Sequence, residues 1–123
     1  MSMAAPWPTE IRIDRAKRSL TIIFETGERF ILPAEYLRVE SPSAEVQGHG
    51  AHKPPPIGGK AQVGIASAEP VGNYAVRLVF DDGHDSGLYS WDLLFALGRE
   101  HAKRWAAYLA RLKEIGGSRA LDG

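Results

Sequence analysis

The 123-residue sequence contains no cysteine. This absence excludes a disulfide framework, thiolate metal sites, a directly cysteine-ligated iron–sulfur cluster and a cysteine nucleophile. An excess of one charge is also lacking, because 15 Lys and Arg balance 15 Asp and Glu. No net field therefore draws the whole molecule to nucleic acid or to an anionic membrane, although a local charged patch is compatible with this balance.

Long apolar runs are missing as well. The sequence nowhere approaches the roughly 18 consecutive apolar residues of a membrane span, and residues 1–8 have neither the basic start nor the apolar stretch of a secretory signal. We therefore expect a cytoplasmic protein without a membrane partner. A content of 44% apolar and 24% charged residues is instead typical of a globular protein, and the length suits one domain.

The usual catalytic motifs are absent. There is no Gly-x-Ser-x-Gly nucleophile elbow, no P-loop and no Gly-x-Gly-x-x-Gly fingerprint, so neither an α/β-hydrolase nor a glycine cradle for nucleotide phosphates is indicated. None of the four histidines precedes Asp or Glu by two residues, as the usual non-haem iron triad requires. We assign no catalytic residue and do not expect an enzyme.

Alternating apolar residues predict strands in both halves of the chain. Ile11 and Ile13 open the pattern, and Leu20 to Phe24 continues it; a turn at Gly27 then leads to a third strand that ends at Pro33. In the second half, residues 74–80 alternate most clearly, Asp82-Gly83 signals a hairpin, and residues 86–89 form the return strand.

Helical signals follow the strands. Ser90 is a predicted N-cap of a helix that Gly98 ends, and a second helix is predicted from about Arg99 to Ile115. The second helix has a predicted apolar stripe formed by Ala102, Trp105, Leu109 and Leu112. The fold class is therefore α+β, an antiparallel β-meander sheet with two C-terminal helices packed on one side or end. Residues 1–8 are a predicted flexible lead-in, 9–115 one domain, and 116–123 a flexible tail.

Residues 41–60 contain four prolines and four glycines, a density that argues against any regular element. A loop of this length within a compact domain is usually functional or disordered. We therefore predict that this segment and the hairpin over residues 81–91 form the binding surface for a partner.

Histidines and carboxylates gather at these two places. His49 and His52 lie in the loop, and His84 follows Asp81 and Asp82 and precedes Asp85 at the hairpin. If loop and hairpin are neighbours, His84, His49 and His52 with nearby carboxylates are candidate ligands for Zn²⁺ or Fe²⁺. The alternative is that the loop histidines are solvated, that the acidic turn serves its backbone and that His84 has a hydrogen-bonded structural role. The predicted partner-binding residues are His49, Asp81, Asp82, His84, Asp85, Tyr89 and Trp91.

Aromatic and basic side chains of the helices suggest further sites. Trp91, Phe95, Trp105 and Tyr108 have the helical spacing of core residues rather than of a stacking platform for bases. The basic residues of the last helix are typical of a solvated face, and we expect no nucleic-acid partner. Tyr74, Tyr89 and Trp91 could instead form an aromatic wall for a quaternary amine in a small enzyme or binder.

Two segments carry a family resemblance. The first spans Leu37–Gly50 and reads LRVESPSAEVQGHG, and the second spans Val71–Trp91 and reads VGNYAVRLVFDDGHDSGLYSW. Together they resemble the stand-alone bacterial proteins of domain-of-unknown-function family 971, which are similar to the N-terminal domain of γ-butyrobetaine and trimethyllysine hydroxylases.

The resemblance implies a small β-rich domain like the N-terminal domain of those hydroxylases, in which three Cys and one His hold a structural zinc. Its Leu-Arg-x-x-Cys-x-Cys-x-x-Cys segment matches Leu37 to Val46, so the cysteine positions are Ser41, Ser43 and Val46 here. The zinc histidine matches His84. The resemblance thus implies that Ser41 and Ser43 lie near His84, but it does not imply an intact zinc site. Hydroxylase activity is not implied either, because the separate iron and 2-oxoglutarate domain is not in this chain.

Within the family, the same kind of domain also occurs fused to P-loop ATPases that resemble scaffolds for iron–sulfur cluster assembly. This domain company implies a non-catalytic accessory or adaptor role in iron–sulfur or metal metabolism, with such an ATPase or a metalloenzyme as the protein partner. The adaptor requires no cofactor. A metal-binding protein using His84 is the alternative.

Overall fold

The computed structural model describes residues 6–47 and 54–120, and this part of the chain contains six strands and four helices. In chain order they are β1 (Pro8–Asp14), β2 (Ser19–Phe24), β3 (Arg29–Pro33), α1 (Ala34–Val39), α2 (Ala44–Gln47), β4 (Ile65–Val71), β5 (Ala75–Phe80), β6 (Leu88–Ser90), α3 (Trp91–Arg99) and α4 (His101–Glu114). None of the helices in the described part combines the length and the apolar character that a membrane span needs.

The first sheet is the predicted meander, with the antiparallel order β1-β2-β3. Ile11 pairs with Ile22, and Leu20 pairs with Leu32, so these apolar residues share one face. The buried side chains of β2 on this face pack with Tyr36 and Leu37 of α1, which follows β3 directly. The alternation of the sequence therefore marks the inner face of this sheet correctly.

The second sheet has the antiparallel order β4-β5-β6. Val76 pairs with Tyr89, and both are buried in the same core as Leu20 and Ile22 of the first sheet. The α+β class is confirmed, and the six strands divide into two three-stranded meanders. Between β3 and β4 the chain forms α1, α2 and a long connection, and β3 and β4 do not pair with each other.

The two C-terminal helices are present, with boundaries that differ from the predicted ones. The Ser90 side chain accepts a hydrogen bond from the Leu93 N–H over 3.1 Å, as an N-cap does. The prediction that Gly98 ends this helix is wrong, since α3 continues to Arg99. In α4 the buried residues are Tyr108 and Leu112.

The predicted stripe on α4 is therefore partly wrong. Ala102 and Leu109 are exposed, and Trp105 is half-buried between Tyr36 and Tyr108. On the side of α4 that faces α1, His101 stacks on Tyr36 with ring centroids 4.4 Å apart.

Two segments have structure or contacts that the sequence did not indicate. The one-turn helix α2 lies inside the predicted irregular stretch 41–60. Near the C-terminus, Arg119 donates to both carboxylate oxygens of Glu35 over 2.6 and 2.8 Å, and only 7% of the Glu35 side chain is exposed. The Gly59 and Ala61 N–H groups also donate to the carbonyls of Ser118 and Arg119. Residues 118 and 119 thus fix the end of the long connection to α1.

Gly98 lies where α3 crosses the first sheet. A Cβ atom at this position would approach the Phe30 ring to 2.4 Å, well inside van der Waals contact. The ring cannot move away freely, because it packs edge-on against both Phe24 and Phe95 with centroids 6.0 Å apart. Close packing rather than helix termination therefore accounts for glycine at this position.

We expect Gly98→Ala to destabilise the domain by about 1–3 kcal/mol, since overpacking outweighs the roughly 1 kcal/mol that alanine gains over glycine in a helix. Urea unfolding monitored by circular dichroism would measure the change. Phe30→Leu provides the control, because a smaller side chain there should make the added methyl group far less costly in the double variant. An alanine variant as stable as the parent would contradict the packing explanation.

Candidate functional site

The β5–β6 hairpin turn has the geometry that Asp82-Gly83 predicts. Gly83 has a φ of 92°, a left-handed value that glycine adopts without strain, and its N–H donates to the Phe80 carbonyl over 3.2 Å. The Phe80 N–H in turn donates to the His84 carbonyl over 2.9 Å. This turn fixes where the side chains of Asp82 and His84 point.

The Asp82 carboxylate joins three parts of the chain. Its Oδ2 accepts from Arg38 Nε of α1 over 2.8 Å and from Lys60 Nζ over 2.6 Å, and Lys60 is the last residue of the predicted loop. Its Oδ1 accepts from the His84 N–H over 3.0 Å. Only 18% of the side chain is exposed. Burial by itself would raise the pKa of Asp82, but the hydrogen bonds from Lys60, the His84 N–H and Arg38 lower it to about 2.

His84 is buried, with 6% of its surface exposed, against the segment that follows α1. Its Nε2 lies 2.9 Å from Ser41 Oγ and 3.3 Å from Ser43 Oγ, and the two hydroxyls are 3.3 Å apart. Gln47 also donates to the Ser41 carbonyl over 2.9 Å. The expectation that Ser41 and Ser43 lie near His84 is confirmed. We call Arg38, Ser41, Ser43, Asp82 and His84 the polar junction.

The residues of the polar junction do not fit a structural zinc site. Serine hydroxyls are neutral and far weaker zinc ligands than thiolates, and Val46, at the third cysteine position, has no donor atom. In residues 6–47 and 54–120, no group of three His, Asp or Glu side chains is arranged to hold a metal ion. His49 and His52, the other predicted ligands, lie outside the described residues.

Arg38 and Lys60 were not predicted as site residues. Arg38 lies in a helix whose six residues are all buried, and its Nη1 has no hydrogen-bond acceptor in the part of the chain that the structure describes. Buried charges are normally paired, so a basic residue next to the buried Leu37 signals a carboxylate partner. Nothing local in the sequence identifies Asp82 as that partner.

The remaining predicted residues divide between surface and core. Asp81 and Asp85 are exposed; Asp81 accepts from the Gly64 N–H over 3.0 Å, and Asp85 pairs with Arg77 over 3.2 Å. Tyr89 is fully buried and donates to the Leu37 carbonyl over 2.5 Å. Trp91 is half-buried, and its Nε1 donates to the Asn73 carbonyl over 2.9 Å.

The burial of Tyr89 requires a correction. A ring within the core cannot contact a partner or a ligand, so Tyr89 is removed from the predicted binding surface. The proposed aromatic wall fails for the same reason, since Tyr74 is 56% exposed while Tyr89 faces the interior. Alternation along a strand identifies two faces but does not show which one is buried.

We expect Asp82→Asn to destabilise the domain by about 1–2 kcal/mol at pH 7, because the lowered pKa reports favourable pairing of the carboxylate. The direction of the pH dependence follows from the protonation of Asp82. The contribution is complete above pH 4, the ordinary range of an aspartate, and is lost as the pH falls through about 2. Urea unfolding at several pH values should therefore show the difference from the parent shrinking below pH 4. Asp85→Asn, at an exposed position, is the control, and a difference independent of pH would contradict the assignment.

Restoring thiolates should convert the polar junction into a metal site. Ligand atoms around a tetrahedral zinc lie about 3.3–3.8 Å apart, close to the separations among Ser41 Oγ, Ser43 Oγ and His84 Nε2. We expect Ser41→Cys/Ser43→Cys to retain stoichiometric Zn²⁺ after dialysis and to melt at a higher temperature with zinc than without it. Adding His84→Ala should abolish both effects. Equal zinc retention by the parent and the double variant would show that these positions do not converge on one centre.

Solved structures resemble the whole fold. Two solution NMR structures are 46% and 47% identical to this sequence, with TM-scores of 0.84 and 0.82; each comparison covers 98% of this chain, and 94% and 92% of the respective other chain. A crystal structure of a protein of unknown function from Acidithiobacillus ferrooxidans, assigned to domain-of-unknown-function family 971, is 34% identical, with a TM-score of 0.60 over 74% of this chain and 91% of the other.

No curated protein matches the sequence at a significant level. The family model described as γ-butyrobetaine hydroxylase-like, N-terminal, matches residues 11–95. That region contains both sheets except the first three residues of β1, the polar junction and the first half of α3. The chain therefore belongs to the γ-butyrobetaine hydroxylase-like N-terminal domain family, the family that the motifs around Ser41 and His84 indicate.

Proposed function

We propose that this domain is a non-catalytic adaptor that binds a protein partner through the β5–β6 hairpin and the adjoining segment after α1. The observation that supports the proposal most directly is the polar junction. Asp82 and His84 use their polar groups to fix the hairpin to Arg38, Lys60 and the serines. These groups are engaged in maintaining a shape, and a rigid base carrying short loops is a common arrangement for recognition.

The surface above this base has side chains suited to a protein contact. Asp81 and Asp85 are exposed at the turn, and Leu88 of the short edge strand β6 is 45% exposed. Pro42, next to the two serines, is also exposed. We call Pro42, Asp81, Asp85 and Leu88 the hairpin surface. Its two apolar and two acidic side chains resemble the mixed composition of a transient interface.

The class of partner is inferred from the domains to which members of the family are fused. Fusion of this kind of domain to P-loop ATPases resembling iron–sulfur scaffolds supports such an ATPase, or a metalloenzyme that receives metal, as the protein that the hairpin surface binds. The adaptor would then act in iron–sulfur cluster or metal metabolism without itself carrying the metal.

Metal binding by His84 with His49 or His52 is the competing proposal. Among the described residues, His84 already contacts two serine hydroxyls, and this arrangement favours the adaptor. A metal bound through Nε2 of His84 would have to replace these hydrogen bonds. Quantifying metal in the same samples that test partner binding separates the two proposals.

We expect Asp85→Ala/Leu88→Glu to reduce partner capture about tenfold or more, because loss of a central contact commonly costs more than 1 kcal/mol. Tagged protein would be used for affinity capture from its native cells, with captured proteins and metals quantified together. Asp85 and Leu88 are better probes than Asp82 or His84, since Asp85 and Leu88 are exposed. Their replacement leaves the polar junction intact.

Glu114→Ala/Ile115→Glu is the matched control, with the same two changes in charge at exposed positions near the end of α4. It should capture as much of the iron–sulfur ATPase or metalloenzyme as the parent does. Equal capture by the parent and the hairpin variant would rule out the hairpin surface. An eluate with stoichiometric metal and no protein partner would favour metal binding instead.

A further inference from the structure

The outer face of the first sheet carries a cleft of about 350 Å³ that faces away from the core. It lies over β2, between Arg12 on β1 and Arg29 on β3, and the turn between β1 and β2 borders it with Arg15 and Lys17. We call this surface the basic cleft. It shares no residue with the hairpin surface.

Positive charge is concentrated there in a protein without net charge. Residues 12–18 include four basic side chains and a single acid, Asp14. Arg12 has an exposed ion pair with Glu10 over 3.1 Å, which leaves its side chain 61% exposed. In the described part of the chain, Lys17 and Arg29 form no ion pair. The cleft thus retains a positive potential that its own acids do not cancel.

Two hydroxyl groups line the floor of the cleft. Ser19 and Thr21 are 5% and 7% exposed, on the middle strand of the sheet. Thr21 lies directly between Arg12 and Ile31 in the pairing register. No hydrogen bond of either hydroxyl is found within residues 6–47 and 54–120. The floor therefore offers donors for an oxygen-bearing ligand beside the guanidinium groups.

An apolar side chain completes this surface. Ile31 is 55% exposed at the edge of the cleft, two residues after Arg29 on β3 and across from Thr21. A simple inorganic anion would gain nothing from it. A peptide that carries carboxylates and an apolar residue would contact the cations, the hydroxyls and Ile31 together.

We propose that the basic cleft binds an acidic segment of a partner protein, with carboxylates on Arg12 and Arg29 and an apolar side chain on Ile31. Arginine forks match carboxylate geometry, and their charge steers encounter. Nucleic acid is the less favoured occupant, because none of the described residues that line the cleft is aromatic and able to stack on bases, and Asp14 and Glu10 would face the phosphates.

The test measures binding of the intact protein to a fluorescein-labelled peptide of repeated Glu-Glu-Leu-Gly by fluorescence polarisation at low salt. The acidic peptide should bind, the same peptide with Gln for Glu should bind about tenfold more weakly or worse, and added salt should weaken binding. Arg12→Glu/Arg29→Glu should lower the affinity about tenfold or more. Ile31→Ser, which leaves the charge unchanged, should lower it less, by about two- to fivefold.

Lys103→Glu/Lys113→Glu provides the matched control, since it makes the same change in net charge at exposed positions on α4. Its affinity should stay within about twofold of the parent. The proposal is overturned if the acidic peptide does not bind, if the control reversal weakens binding as much as the cleft reversal, or if labelled oligothymidylate binds more tightly than the peptide. Melting curves of each variant establish that it is folded, and each outcome is independent of capture through the hairpin surface.

Discussion

The hydrogen-bonded pairing of Asp82 with Arg38 and Lys60 is the interaction on which the arrangement of the loop, α1 and hairpin depends. Each of these charges has been taken largely out of water, which is favourable only while all are paired. Loss of the carboxylate would leave a guanidinium in a fully buried helix and an ammonium without its counter-charge. One side chain at the hairpin turn thereby links three segments that are distant in the sequence.

The serine and histidine contacts beside Asp82 also hold the segment after α1 to the hairpin. Where the family resemblance implies thiolates on a zinc ion, this chain has hydrogen bonds among Ser41, Ser43 and His84. A neutral hydrogen bond contributes about 1 kcal/mol, whereas a structural zinc site contributes about ten times as much. The segment after α1 therefore relies more heavily on its ion pairs and on packing around Leu37 and Tyr89.

The sequence predicted the features that neighbouring residues determine. Alternation located the three strands of the first sheet and β5, Asp82-Gly83 located the hairpin, and Ser90 located the start of α3. The features that depend on distant residues were missed or misread. Gly98 looked like a helix stop, because the side chain that requires a glycine there, Phe30, lies on β3 and is distant in the sequence. Arg119 looked like part of a tail because Glu35 is 84 positions away. The basic cleft could not be predicted from the net charge of zero, because the net charge does not show where the individual charges lie.

The two proposed surfaces adjoin each other, and this adjacency restricts what a single partner could look like. Asp81 of the hairpin surface and Arg15 of the basic cleft both line one further depression, together with Gly64 and Ala66 at the start of β4. Arg15 donates to the Ala66 carbonyl over 2.7 Å, and Asp81 accepts from Gly64, so both charges are fixed in place. A protein that covers both surfaces must therefore change the sign of its own charge over this short distance. Acidic residues would meet the cleft, and basic or apolar residues would meet the hairpin, so a uniformly acidic partner is restricted to the cleft alone.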